Sequence, residues 1–87
     1  MTKSEISAFC VDQLAEILRI PQYKIDANAK FTRLGLDSAM TVYLQMELED
    51  RLDIEVGPDT FYDHPTVDAL SAHLAEKLAA RTGVPAR

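Results

Sequence analysis

The residues of this sequence that could do chemistry are few and lie far apart along the chain. Ser38 follows Asp37 directly, the histidines are His64 and His73, and the single cysteine is Cys10. A serine nucleophile needs a base within hydrogen-bond reach and a third group that orients the base. His64 precedes a proline in a predicted turn, and we expect His73 to be solvent-exposed. The sequence therefore does not indicate a catalytic triad.

Metal sites and phosphate loops are not indicated either. The cysteine and the histidines lack the close spacing of zinc ligands. The acidic residues Asp50, Asp53 and Glu55 lack the spacing and the glycine turn of a calcium loop, and Gly35 is not part of a glycine-rich loop. We expect no metal, no intrinsic catalysis, and a Cys10 that is a small buried hydrophobe.

Size and charge limit the kinds of partner. The chain has 87 residues, about one small domain, and 47% of them are apolar. Nine Lys and Arg residues against fourteen Asp and Glu residues give a formal net charge of -5. That charge repels a phosphate backbone, so we expect no nucleic-acid binding and a preference for basic partner surfaces.

Cysteine usage and hydropathy indicate a cytoplasmic chain. One cysteine cannot form an internal disulfide, which fits a reducing compartment. No apolar run is long enough to span a bilayer, and the N-terminal residues "MTKSEIS" lack the apolar core of a signal peptide. We expect no membrane partner and a monomer, with residues 1–87 as a single domain, a core over about 4–80 and a frayed tail at 81–87.

The hydrophobic pattern predicts an all-α fold, a small four-helix bundle with three longer helices and a short third one. The first helix covers about 4–19, with Ser4 as N-cap and Pro21 preventing its continuation. The second covers 38–52, Pro58 begins the short third helix, and Thr66 caps the last. Only 54–56 resembles a strand.

A long first loop joins the first two predicted helices over residues 21–37. A loop of this length is uncommon in a compact domain unless it is packed down or functional. We expect it to lie across helix ends with its apolar side chains inserted, namely Tyr23, Ile25, Phe31, Leu34 and Leu36. In the short third helix, Phe61 and Tyr62 are the candidates for inward-facing positions.

The second predicted helix has two faces of different chemistry. Leu44, Leu48 and Leu52 share one face with Thr41. The opposite face is either buried as well, or is a small apolar patch with an acidic border that docks basic partners. Its residues are Ala39, Val42, Tyr43 and Met46, followed by Glu49, Asp50 and Asp53.

The pair Asp37–Ser38 at the start of this helix has two interpretations. Asp37 is a good N-cap and Ser38 an ordinary first-turn residue, so capping alone explains the pair. A serine hydroxyl at the positive end of a helix also suits a phosphoester, because the dipole and the unpaired backbone N–H groups favour a phosphate.

The residues around this pair resemble those of acyl carrier proteins. The resemblance covers about residues 4–80 and centres on "LGLDSAMTVYLQMELEDRLDIEV", with "KFTRLGLDS" before it and "FYDHPTVDALSAHL", similar to carrier domains of polyketide synthases, after it. It implies that Ser38, preceded by the acidic Asp37, carries 4'-phosphopantetheine, installed from coenzyme A by a separate phosphopantetheinyl transferase. The protein would then hold acyl or polyketide intermediates as thioesters without catalysis of its own.

The resemblance also implies a docking face for acyltransferases, ketosynthases or other biosynthetic enzymes with basic surfaces. Val42, Met46, Glu49 and Asp50 match its apolar and acidic positions, whereas Ala39 and Tyr43 depart from the pattern of a bulky aliphatic residue and an acid. We expect these departures to alter partner choice. "LGLDS" favours an acyl over an aminoacyl cargo. The start at Met1 suggests a discrete protein, but a domain excised from a longer chain would look the same, so both alternatives stay open.

Three alternatives remain open from the sequence. A peptidyl or aminoacyl carrier would share the modified serine. An unmodified helical interaction module would bind a partner through Val42 and Met46 and would not need Ser38. A helix-turn-helix DNA binder needs a basic recognition helix, and the second predicted helix offers only Arg51.

Overall fold

A computed structural model describes residues 2–81 of the chain. It contains helices α1 (Lys3–Leu18), α2 (Phe31–Leu34), α3 (Ser38–Leu52), α4 (Asp59–Asp63) and α5 (Val67–Arg81), with a 3₁₀ turn at Gln22–Lys24. No strand is present among the described residues, so 54–56 is not one. The predicted all-α bundle is confirmed. Most of the predicted tail, residues 82–87, lies outside the described residues.

Helix α1 is capped two residues earlier than the sequence pattern predicts. Thr2, not Ser4, is the N-cap: its hydroxyl accepts from the Glu5 N–H at 3.2 Å, and the Glu5 carboxylate accepts from the Thr2 N–H at 2.8 Å. This reciprocal pair satisfies two otherwise unpaired donors. The hydrogen bond from the Thr2 N–H lowers the pKa of Glu5.

The core joins the three longer helices. Helix α1 packs mainly against α5 and also against α3. Each helix contributes apolar residues at helical spacing to one cluster, which is what the periodicity predicts. The fully buried members include Ile6, Cys10, Leu14, Leu44, Leu48, Leu70 and Leu74.

The first loop is packed down, as expected, but not through all of its predicted side chains. Ile25, Phe31 and Leu36 are buried, whereas Tyr23 is 85% exposed, so its assignment as an apolar anchor is wrong. Backbone bonds hold the loop to the start of α5: the Phe31 N–H donates to the Pro65 carbonyl at 2.8 Å, and the Asp68 N–H donates to the Ala27 carbonyl at 2.9 Å.

A helical turn interrupts the segment that the sequence pattern marks as loop. Helix α2 has only four residues, too few to show a period of their own. It ends at Gly35, whose φ of 101° is a left-handed conformation that costs glycine little and other residues more. The Gly35 N–H then bonds back to the Phe31 and Thr32 carbonyls, which turns the chain into α3.

The junction between α4 and α5 differs from expectation at two side chains. Phe61 is buried as predicted and meets Phe31 edge to face, with ring centroids 5.8 Å apart. Tyr62 is 82% exposed and does not point inward. His73 is half-buried rather than exposed, because its ring stacks on His64 at a centroid distance of 4.2 Å. Thr66 caps α5 as predicted, accepting from the Ala69 N–H.

Candidate functional site

The Asp37–Ser38 pair forms the first turn of α3. The Asp37 carboxylate accepts from the Met40 N–H at 2.8 Å, and the Asp37 carbonyl accepts from the Thr41 N–H at 2.9 Å. Asp37 is therefore the N-cap, as the sequence predicts. The Thr41 hydroxyl also donates to the Asp37 carbonyl, at 2.8 Å. These three bonds join Asp37 to Met40 and Thr41 and so fix the backbone of the first turn, which includes Ser38.

Ser38 is solvent-exposed at the first position of a 15-residue helix. Its hydroxyl makes no hydrogen bond to another residue within 2–81, so no base of the described chain activates it. The backbone N–H groups of Ser38 and Ala39 are likewise unpaired within this range. Two unpaired donors at the positive end of a helix dipole suit the oxygens of a phosphate ester on Ser38.

Two grooves flank the start of α3. The α1-side groove has a volume of about 390 Å³ and the α4-side groove about 430 Å³. Both lie in the range of ordinary small-ligand sites. The α1-side groove is lined by Glu16, Ile17, Arg19, Ala39, Met40 and Tyr43. The α4-side groove is lined by Ser38 and Asp37 themselves, by Leu36 in the link between α2 and α3, and by residues of α2, α3 and α4, including Phe31, Val42, Gln45, Phe61 and Tyr62.

The outer face of α3, defined as Ala39, Val42, Tyr43 and Met46, is open to solvent. Val42 is 52% exposed, Tyr43 54% and Met46 61%. Ala39 and, at the end of the helix, Asp50 are exposed as well. The interpretation of α3 as buried all round is therefore wrong. This leaves a contiguous apolar surface that begins next to Ser38 and has an acidic end.

Glu49 has a bond that the sequence did not indicate. It is half-buried, and its carboxylate accepts from the Val56 N–H at 2.8 Å. The bond ties the last turn of α3 to the chain that leads into α4. Its partner Val56 lies beyond the end of α3, so helical periodicity could not have found this bond.

The other reactive side chains are not part of this site. Cys10 lies in the core, where burial raises the pKa of its thiol from 9.0 to about 12 and the Ser71 hydroxyl offsets a little of that rise. His64 and His73 contact each other and line neither groove. Among residues 2–81, no group of three or more histidine, cysteine or acidic side chains is placed to hold a metal ion. No helix in that range could cross a membrane.

Sequence reasoning missed part of the α4-side groove. Gln45 and Tyr62 line it, yet neither lies in the Asp-Ser motif. The sequence did carry one signal: Ser38, Val42 and Gln45 are spaced i, i+4, i+7, which places them on one side of α3. The contribution of α4 depends on how that helix packs against α3, so no local pattern could have revealed it.

Comparison with known proteins identifies the family. The model of the family described as "Phosphopantetheine attachment site" matches residues 11–74, which include the start of α3 and both grooves' α3 residues. The chain therefore belongs to this family of carrier proteins. The resemblance to acyl carrier proteins is confirmed, and the family and fold are those of non-catalytic carriers of acyl intermediates. An unmodified interaction module is not favoured.

The curated relatives that the chain matches are large synthases. Over 66 residues the chain is 35% identical to a phenolphthiocerol/phthiocerol polyketide synthase from Mycobacterium tuberculosis and 41% identical to the 6-methylsalicylic acid synthase of Penicillium patulum. Each alignment covers 76% of this chain but 4% of the relative. The chain thus spans a small part of the length of the relatives it matches.

Solved structures share the fold over nearly the whole chain. A free-standing peptidyl carrier protein from Acinetobacter baumannii superposes with a TM-score of 0.85 at 34% identity, covering 88% of this chain and 96% of that one. The HMG-ACPI domain of the CurA module from Lyngbya majuscula gives a TM-score of 0.83 at 31% identity, covering 93% and 82%. The arrangement of α1 to α5 is thus that of carrier proteins.

Proposed function

We propose that Ser38 is the attachment point of 4'-phosphopantetheine and that the loaded chain carries polyketide-type acyl intermediates. The observation that carries the proposal is the exposed Ser38 at the capped start of α3, inside the segment that matches the phosphopantetheine attachment family. The polyketide assignment is supported by the name of the Mycobacterium tuberculosis relative above, a polyketide synthase subunit.

The attachment step is a phosphoryl-group transfer that a separate transferase would catalyse. The Ser38 oxygen attacks the phosphorus of coenzyme A that bears pantetheine, the pyrophosphate bond breaks, and 3',5'-ADP leaves with the bonding electrons. The hydroxyl proton passes to a base on the transferase, which explains why Ser38 needs no base of its own. The role of Asp37 is to hold the first turn, so that the unpaired N–H groups of Ser38 and Ala39 face the new phosphate.

The bound arm would supply the chemistry of the carrier: its terminal thiol holds an acyl group as a thioester. The chain's own residues position the phosphate end of that arm and present a surface to the enzymes that act on the cargo. A reducing cytoplasm suits this role, and the one cysteine of the chain, Cys10, is buried.

The outer face of α3 is the surface that we assign to partner enzymes. It lies next to Ser38, so an enzyme bound there has the arm at its edge. Its apolar residues would bury area on docking, while the exposed Asp50 and the net charge of -5 attract a basic surface. Glu49 contributes charge to this border although its carboxylate is engaged by Val56.

Intact-mass measurement tests the attachment site. The protein is incubated with coenzyme A, Mg²⁺ and a broad-specificity phosphopantetheinyl transferase, and we expect one phosphopantetheine to be added. Ser38→Ala should abolish the addition completely, whereas the control Ser4→Ala, also an exposed first-turn serine, should leave it unchanged. No addition to the unaltered protein, or an addition that persists in Ser38→Ala, would contradict the proposal.

A further inference from the structure

The α4-side groove runs from the proposed attachment point to one amide side chain. Ser38, Val42 and Gln45 line it along α3. At 1.5 Å of rise per residue, Gln45 lies about 10 Å along the helix axis from Ser38. A chain anchored at Ser38 that enters this groove therefore passes Val42 before it reaches Gln45.

The floor of the groove is apolar. Phe31, Leu36 and Phe61 are buried beneath it, and the edge-to-face contact of the two phenyl rings fixes their positions. Pro58 and Pro65 also line the groove, and their fixed φ angles limit backbone motion there. Such a surface binds hydrocarbon without requiring any particular functional group.

Gln45 changes the chemistry at the far end. It is half-buried, and its side-chain amide makes no hydrogen bond to any other residue within 2–81. A glutamine amide offers two N–H donors and one acceptor oxygen. A hydrocarbon chain pressed against it would displace water from these groups and give no hydrogen bond in return, which disfavours that complex.

The other polar groups on the same helix face do not replace it. The Thr41 hydroxyl donates its hydrogen to the Asp37 carbonyl and so has no proton left for a ligand. The Ser38 oxygen is consumed by the proposed phosphoester. Gln45 is thus the lining residue of α3 that retains N–H donors for a carbonyl or hydroxyl oxygen of a bound chain.

We propose that Gln45 is a specificity-determining residue: its amide makes the α4-side groove hold acyl chains with an oxygen substituent in preference to fully reduced alkyl chains. The inference rests on the proposed attachment at Ser38 and adds the chemical class of the cargo. The amide N–H donates to a keto oxygen, and the amide oxygen can also accept from a hydroxyl group. The groove therefore protects an incompletely reduced chain better than a saturated chain of the same length.

The test compares three cargoes of equal length: hexanoyl, 3-oxohexanoyl and 3-hydroxyhexanoyl. A phosphopantetheinyl transferase loads each cargo onto the carrier from its coenzyme A thioester, and intact mass verifies the loading. The measured quantity is protection, defined as the rate of thioester cleavage by hydroxylamine on free pantetheine divided by the rate for the same acyl group on the carrier. This ratio removes the intrinsic reactivity of each thioester. For the unaltered carrier we expect protection of both oxygenated chains to exceed that of hexanoyl by about two- to tenfold, the value of one net hydrogen bond.

Two variants of Gln45 separate its hydrogen bonds from its shape. Gln45→Leu keeps the size and should remove the preference for both oxygenated chains. Gln45→Glu loses the N–H donors but keeps an acceptor, so it should lose the preference for the keto chain and keep that for the hydroxy chain. The control is Gln13→Leu, a half-buried glutamine of α1 that lines neither groove, which should behave as the unaltered carrier.

The outcomes distinguish this inference from the proposed function. Normal loading at Ser38 with equal protection of all three cargoes, or a preference that Gln45→Leu leaves intact, overturns the role of Gln45 alone. Absence of any mass gain overturns the attachment proposal and the inference together. A side-chain amide resonance of Gln45 that shifts with the 3-oxo cargo but not with hexanoyl would support the inference directly.

Discussion

The two faces of α3 carry similar residues and have opposite environments. The inner face, Leu44, Leu48 and Leu52, is 0–5% exposed and belongs to the core shared with α1 and α5. The outer face has aliphatic, sulfur-containing and aromatic side chains that are more than half exposed at three positions. Hydrophobicity alone therefore does not separate the residues that stabilise the fold from those left for a partner.

The difference follows from what packs on each side. Helix α1 packs against the inner side of α3, whose leucines join the core cluster that α1 and α5 also form, whereas the short helices α2 and α4 leave the α4-side groove on another side. An apolar surface that remains uncovered costs solvation free energy, which binding to a partner would recover. Ser38 lies at the end of α3 where the groove and the outer face meet.

The largest expected difference between the two faces is in stability. Leu48→Ala removes a fully buried side chain and should lower the free energy of unfolding by about 3 kcal/mol. Met46→Ala, two residues away and 61% exposed, should change it by less than about 0.5 kcal/mol. Urea unfolding followed by circular dichroism measures both. Equal losses would mean that the outer face is buried in the folded protein.

Stability should also depend on pH through the core, because burial raises the pKa of Cys10 from 9.0 to about 12. Below pH 9 the thiol is protonated in both the folded and unfolded states, and its contribution to stability is fully present. Between pH 9 and 12 the unfolded state ionises first, so the stability contributed by the thiol falls by about 1.4 kcal/mol per pH unit.

Cys10→Ala isolates this effect from other groups that titrate at high pH. The difference in unfolding free energy between the unaltered protein and Cys10→Ala should be constant from pH 6 to 8. By pH 10.5 the unaltered protein should have lost about 2 kcal/mol of stability relative to Cys10→Ala. Chemical denaturation at each pH measures it. A difference that does not change across this range would show that the thiol is accessible to water.

At the end of α3, two adjacent acids should behave differently. Glu49→Ala removes the acceptor for the Val56 N–H and should destabilise the fold by about 1.5 kcal/mol, since Val56 is buried. Asp50→Ala removes an exposed charge and should change stability by less than about 0.5 kcal/mol. Thermal unfolding of both variants checks this. If the losses were reversed, Asp50 rather than Glu49 would hold the end of the helix.

A substitution at Tyr43 should have the smallest effect on stability. We expect it to change the binding of partners instead. Tyr43→Glu adds a negative charge to the exposed outer face and should accelerate association with partners that have basic surfaces, with the gain declining as salt increases. Stopped-flow or transferase kinetics at two ionic strengths measures the change. The control Tyr23→Glu places the same charge at another exposed tyrosine. Equal acceleration by both variants would indicate net charge rather than a docking site.

Much of the fold could be predicted from local pattern. The apolar stripes located α1, α3 and α5, and Asp37 and Thr66 were recognised as caps because capping depends on residues within three positions. The errors have a common cause. Tyr23 and Tyr62 lie in short elements, and His73, although it lies within α5, is half-buried because it stacks on His64. Exposure at all three depends on contacts with other segments rather than on a repeating period.

The candidate site divides in the same way. The sequence by itself determined the family resemblance, the Asp37–Ser38 helix start and the apolar residues of α3, because each depends on residue identity and on spacing within one helix. Only the tertiary structure decided that the outer face is exposed, that Glu49 bonds to Val56, and that Gln45 shares a groove with Ser38 and Phe61. Those relations join separate segments, and the packing of α1, α4 and α5 around α3 sets them.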